Sequence, residues 1–281
     1  MKILLTGANG QLGRCFQDRL PVGWEILATG SGELDITDIN QIMCSVTQFK
    51  PDVIVNAAAY TAVDKAESEP DRAEKINVTG PENLATVANQ HGIRLVHVST
   101  DYVFDGTATE PYNENSPTNP LSVYGKTKLA GEQAVTQASP EAIIVRTAWV
   151  FSEYGNNFVK TMLRLAKERD TLSIVNDQRG CPTYAGDLAL AIISLLKENA
   201  EGGIYHYCGD KEVSWYEFAE VIFKTIRKKN AISPIPILTA IKTREYPTPA
   251  KRPKYSALNC LKINELDIPQ SNWLKKINTI I

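Results

Sequence analysis

At 281 residues, 43% hydrophobic and 22% charged, the chain is long enough to bury a large core and has the composition of an ordinary globular protein. A formal net charge of −2 gives no reason to expect nucleic acid or an anionic membrane as partner. Apolar runs such as Ala142–Val145 are far too short to span a bilayer, and Gly7–Gly10 cuts short the one stretch that opens like a signal peptide. The cysteines at 15, 44, 181, 208 and 260 form no C-x-x-C, and the histidines at 91, 97 and 206 are scattered. Reduced thiols in a cytoplasmic protein are therefore expected, with each histidine structural or on the surface and no metal site.

In chain order, Lys2–Leu5 reads as a short buried strand, and the loop Thr6–Gly13 follows directly. Helical character then runs from Arg14 to Leu20. Gly7, Gly10 and Gly13 give a G-x-x-G-x-x-G pattern between strand and helix, the context in which glycines let a backbone approach a pyrophosphate. A second strand, Glu25–Thr29, ends in Gly30-Ser31 without the acidic residue that would select NAD. Arg14 stands ready for a 2′-phosphate, so NADPH or NADH is expected, with a lean to NADPH or to both. Thr37 or Asp38 is expected to cap the next helix. Asp35 reads either as a turn residue or as a hydrogen-bond partner for adenine.

Asp52–Asn56 is the next buried strand, and the small residues Ala57–Ala59 at its end would let a flat ligand lie against the backbone. Pro70–Gln90 reads as one long helix carrying Asn77, for which capping, exposure to solvent and function are equally open. The strand Arg94–Ser99 leads into Thr100 and Asp101, and the Pro- and Asn-rich stretch from Asp105 to Pro120 reads as a loop. Tyr124–Val135 is a helix on which Tyr124 and Lys128 lie one turn apart on one face. An ammonium beside a phenol favours the phenolate, so the pair suits proton transfer, although the spacing alone is common by chance.

Ile143–Arg146 is another strand, and the regular alternation of strand and helix indicates α/β architecture with a doubly wound parallel sheet. Helices follow at Phe158–Arg169 and Tyr184–Glu198, with a strand over Gly203–Tyr207. Ser214 and Glu217 form a capping box that opens a helix to about Lys228. Five prolines between 233 and 253 mark an irregular segment rather than a helix or central strand. Near its end Arg252 is open to two roles, a contact to a substrate diphosphate or an exposed arginine. The expected division is a Rossmann domain over 1–150 plus about 184–210. A smaller C-terminal α/β substrate domain would take about 151–183 and 211–281.

Taken together, these segments resemble the extended short-chain dehydrogenase/reductase family, and several narrow the resemblance to the dTDP-4-dehydrorhamnose reductases. The matching stretches are Thr6–Gly13, Asn56–Glu67, Val98–Gly106, Tyr124–Glu132, Arg146–Phe151 and Asp177–Thr183. The resemblance implies reduction of the 4-keto group of dTDP-4-dehydro-L-rhamnose by NADPH or NADH, the last step to dTDP-L-rhamnose for cell-surface polysaccharide. It makes Tyr124 the proton donor, Lys128 the holder of the nicotinamide ribose that also lowers the tyrosine pKa, and Thr100 the third member, bonded to the sugar oxygen. Gly10, Gln11 and Leu12 would surround the pyrophosphate, Asp35 and Ile36 the adenine, and Ala59, Tyr60 and Thr61 the middle of the cofactor, with Val98 also on the cofactor side. Val63, Thr100, Asp101, Tyr124 and Trp149 would line the sugar site; without the resemblance, Trp149 reads equally as a core aromatic. Some relatives dimerise around a carboxylate-held metal, but the segment after the last glycine has no carboxylate before Asp18. A monomer or a homodimer without a bridging metal is expected. Related alternatives are an epimerase or dehydratase, or a regulatory subunit that binds cofactor without turnover. Tyr102 stands where a dehydratase commonly carries a further carboxylate.

Overall fold

The computed structural model describes residues 1–229 and 235–281, so Ser233 and Pro234 of the Pro-rich stretch lie outside the described residues. Five strands, β1 (Lys2–Thr6), β2 (Glu25–Thr29), β3 (Val53–Asn56), β4 (Arg94–Thr100) and β5 (Ile143–Thr147), join Gly203–His206 in one sheet. Starting at β2, the sheet runs β2-β1-β3-β4-β5 and closes on Gly203–His206, and all its pairs are parallel. This is the doubly wound α/β sheet expected from the alternation.

Side-chain alternation explains why both faces are covered. Ile3, Leu5, Val53, Val55 and Val96 point into one apolar cluster with Phe16 and the helix Ala185–Lys197. Leu4, Ile54 and Leu95 point into the opposite cluster with Ile42, Leu84 and Val87. Strands buried on both sides are near-continuously apolar, as Ile3-Leu4-Leu5 is, and each such side chain contributes about 1.5–3 kcal/mol of burial. The chain leaves β1 for β2 on one side and returns to β3 on the other. A crevice therefore opens at the carboxyl ends of β1 and β3, where open α/β sheets bind ligands.

A third cluster, with Phe151, Val159, Phe218, Ile222 and Trp273, lies in the C-terminal half. Among the described residues, no helix is long and apolar enough to cross a membrane.

Three expected elements differ. The first helix is Gln11–Gln17 and not Arg14–Leu20; it starts from Gly10 within the glycine pattern and takes in Gly13, where a Cβ would sit 2.3 Å from the Gly7 carbonyl oxygen. The expected helix Pro70–Gln90 is interrupted by a π-helical turn at Lys75–Thr79. The stretch read as irregular contains the strand Ile237–Ile241, parallel to Thr171–Val175 in a two-stranded sheet. Pro236 and Pro247 flank this strand without entering it, and an edge position tolerates prolines next to it.

Candidate active site

The glycine loop is pressed against the end of β3. Gly7 has φ +71°, and a Cβ on it would lie 2.6 Å from the backbone of Ala57 and Ala58. The Ala8 N–H donates to the Thr29 carbonyl at 3.0 Å and ties the loop to β2. Gly10 caps the helix that follows, with no side-chain capping bond and no acidic residue in the first turn. Gln11 is turned aside, its Oε1 accepting from Ser152 Oγ (3.1 Å) and Asn157 Nδ2 (2.9 Å), and Leu12 is buried in the core. The Gly10 N–H itself donates to the Gly7 carbonyl at 3.0 Å, which closes the loop just before the helix.

Arg14 is exposed, its guanidinium 5.5 Å over the Tyr154 ring. Asp18 accepts a bond from the Tyr154 hydroxyl at 2.9 Å. Asp35 is exposed, and its carboxylate closes a turn by accepting from the Thr37 hydroxyl (2.7 Å) and N–H (2.9 Å), bonds that hold its pKa below the usual range. Ile36 is buried against Gly80, and Asp38 caps the following helix by accepting from the Asn40 N–H.

Asn77 is fully buried, neither a cap nor exposed. From the π-helical turn its Oδ1 accepts the Tyr60 N–H (2.8 Å), while its Nδ2 donates to the Tyr60 carbonyl and to Thr127 Oγ1 (both 3.1 Å). One amide thus joins the Ala59–Thr61 strand end to the helix Val123–Ala138. That helix is capped by Ser122, whose Oγ accepts the Gly125 N–H, and by Glu67, which accepts the Val123 N–H at 2.8 Å. Glu67 lies within a motif the sequence singles out, yet nothing in its spacing signals a bond to this helix.

Tyr124, Lys128 and Thr100 are all buried, at 9%, 1% and 6% exposure. Thr100 ends β4 and donates to Asp101 Oδ1 at 3.0 Å. Burial pushes the Tyr124 phenol up to about 12, with a Thr100 hydrogen bond acting the other way. This reverses the expected lowering, because desolvation outweighs any ammonium: Lys128 Nζ is turned to the Val98 carbonyl (2.7 Å) and to His97 Nε2 (3.4 Å). Burial likewise lowers Lys128 to about 8 and raises Asp101 to about 6. Val98 therefore enters the site through its carbonyl oxygen.

Trp149 adopts φ +49° and stacks on Trp215, with centroids 3.5 Å apart and planes at 3°. It is half-buried, with one face against that partner, and Gly180 must be glycine because a Cβ would lie 2.7 Å from the Trp149 indole. Trp215 is a residue that sequence reasoning missed, since only the capping-box residues Ser214 and Glu217 around it carry a signal. Val63 opens a short helix in which Asp64 is gripped by Arg252 through two bonds of 2.7 and 2.9 Å. Arg252 is thus a part-buried clamp and not an exposed arginine.

Residues 1–281 match the family model described as the RmlD substrate binding domain. The chain is 46% identical to dTDP-4-dehydrorhamnose reductase of Aggregatibacter actinomycetemcomitans, over 99% of this chain and 98% of that protein. The chain belongs to this family. It also superimposes on the crystal structure of a dTDP-4-dehydrorhamnose reductase from Clostridium acetobutylicum, with a TM-score of 0.93 and 44% identity, covering 100% of this chain and 98% of that one. A Bacillus anthracis dTDP-4-dehydrorhamnose reductase in complex with NADP gives a TM-score of 0.92 at 39% identity, covering 99% and 98%. In this chain the glycine loop and Thr100 lie at the ends of β1 and β4, and Tyr124 and Lys128 on the helix between β4 and β5.

Proposed function

We propose that the chain is an NAD(P)H-dependent oxidoreductase that reduces the 4-keto group of dTDP-4-dehydro-L-rhamnose to give dTDP-L-rhamnose. The observation that carries this is the burial of Thr100, Tyr124 and Lys128 together, at the carboxyl end of β4 and in the first turns of the helix that follows, on the sheet edge where the glycine loop leaves β1. The residues fit a dinucleotide. Gly7 and Gly13 let the loop pack backbone to backbone against Ala57, Ala58 and Ala8 where no Cβ would fit, and Ser99 Oγ and Thr147 Oγ1, at the neighbouring ends of β4 and β5, have no hydrogen-bond partner among the described residues.

The backbone of Gly10, Gln11 and Leu12 would hold the pyrophosphate, Asp35 and Ile36 the adenine, and Ala59, Tyr60, Thr61, Val98 and Lys128 the rest of the cofactor. NAD(P)H, when bound, supplies the hydride. The chain itself orients the ketone and delivers a proton to its oxygen. A phenol whose pKa is about 12 is fully protonated at neutral pH, so Tyr124 is the acid that gives its proton to the developing alkoxide. The Thr100 hydroxyl, beside it, would turn its one proton from Asp101 Oδ1 to the same oxygen as negative charge builds. Val63, Asp101 and Trp149 would hold the sugar, with residues 151–183 and 211–281 forming the substrate unit. Elimination chemistry would call for a carboxylate after Asp101; there Tyr102 packs edge-on against Tyr124, with ring centroids 5.4 Å apart.

The test is cofactor oxidation on adding dTDP-4-dehydro-L-rhamnose. In Tyr124→Phe, kcat should drop by about 10²–10⁴. Undiminished turnover in that variant, or none in the unaltered protein, would overturn the reading.

A further inference from the structure

Lys128 is backed by a polar chain that the reaction as described does not use. Thr6 Oγ1 donates to Asn56 Oδ1 (2.7 Å), Asn56 Nδ2 meets His97 Nδ1 (2.9 Å), and His97 Nε2 meets Lys128 Nζ (3.4 Å). All four side chains are at most 1% exposed. The direction of each bond follows from elementary donor chemistry. The Ala58 backbone N–H can only donate, and it donates to Asn56 Oδ1 at 3.1 Å. This fixes the Asn56 amide and turns its Nδ2, a pure donor, to the imidazole. His97 Nδ1 must therefore accept, and it carries no proton. A neutral imidazole keeps one proton, so that proton is on Nε2, facing the lysine.

We propose that Asn56 and His97 are positioning residues that set the charge state of Lys128: the amide locks His97 as its Nε2–H tautomer, and that N–H confronts Nζ with a donor where an ammonium needs an acceptor. Among the described residues the ammonium keeps only the Val98 carbonyl as a partner, whereas a neutral amine also accepts from His97. The other charged groups around Lys128 do not undo this. Glu132, one turn on along the same helix, favours the ammonium but is held by Arg146 of β5 at 2.7 Å. Tyr124, one turn back, is neutral. Burial with the Lys128 charge keeps His97 from becoming an imidazolium, its pKa falling well below the usual value. Burial by itself brings Lys128 down to about 8, and the facing N–H of His97 acts in the same direction.

The inference rests on Lys128 being the lysine of the reductase site, but its test needs neither substrate nor turnover. Long-range 1H–15N correlation on the cofactor-free full chain reports the tautomers of His91, His97 and His206, with His97 assigned by its loss in His97→Gln. His97 should be a non-titrating Nε2–H tautomer; an Nδ1–H form or an imidazolium would overturn the proposal. The second measurement is the Nζ titration of Lys128 in lysine-labelled protein, assigned by its loss in Lys128→Arg. In His97→Gln, whose amide can turn its oxygen to Nζ, the midpoint should rise by about one unit, roughly tenfold less free amine at a given pH. In Asn56→Asp the new oxygen accepts from Nδ1–H, the tautomer flips, and the midpoint should rise further. A purely structural histidine predicts lost stability with an unmoved midpoint, and that result in folded variants would also overturn the proposal. Should both variants fail to fold, the tautomer of the unaltered chain still decides.

Discussion

Burial moves Tyr124 and Lys128 in opposite directions, to about 12 and about 8, and in both cases toward the uncharged form. Asp101 follows the same rule, raised to about 6 from 3.8. Because the folded protein holds this proton up to about pH 6 while the unfolded chain releases it near 3.8, stability falls as pH rises between those values. Asp101→Asn removes that loss. Its Tm relative to the unaltered protein should climb from pH 4 to pH 6 and level off above, measured by thermal melts across that range. At this scale the sequence was legible in where residues sit: Thr100 ends β4, and Tyr124 and Lys128 share the helix Val123–Ala138, as expected. It was silent on Asn56 and His97, because a buried histidine and a surface one look alike until a partner from another strand is in place.

The π-helical turn at Lys75–Thr79 does what an uninterrupted helix cannot. It carries Asn77 far enough inward to bond both backbone groups of Tyr60 and to bring its own carbonyl against the helix Val123–Ala138. A Cβ on Gly131 would lie 2.0 Å from that carbonyl oxygen. Asn77→Ala leaves the Tyr60 N–H and carbonyl without their partners, and should cost about 2–4 kcal/mol in chemical denaturation. Gly131→Ala should cost about 1–3 kcal/mol through overpacking, with weaker cofactor binding, because the helix bearing Tyr124 is pushed away. The turn was unreadable because one extra residue per turn leaves apolar periodicity intact on either side, so Pro70–Gln90 looks continuous. The strand Ile237–Ile241 was hidden differently, by the prolines around it and by a partner, Thr171–Val175, that is remote in sequence.

Across the whole molecule, the sheet was the most legible feature, since six apolar runs separated by helical stretches admit few arrangements. What composition could not reveal is how the site is braced from behind. Arg146 of β5 pairs with Glu132 of the helix Val123–Ala138 at 2.7 Å, both side chains 3% exposed, and its guanidinium also reaches the Glu114 carbonyl and His206 of the neighbouring edge strand. Glu132→Ala strands a buried guanidinium and should cost about 3–5 kcal/mol, read from the urea midpoint. The Trp149–Trp215 stack braces the other side, joining the end of β5 to the helix Trp215–Lys228. Two coplanar indoles 3.5 Å apart share their electronic excitation. The protein should therefore carry an exciton couplet in its far-ultraviolet circular dichroism, absent from Trp215→Phe, and a sugar that displaces Trp149 from its partner would announce its arrival as the collapse of that signal.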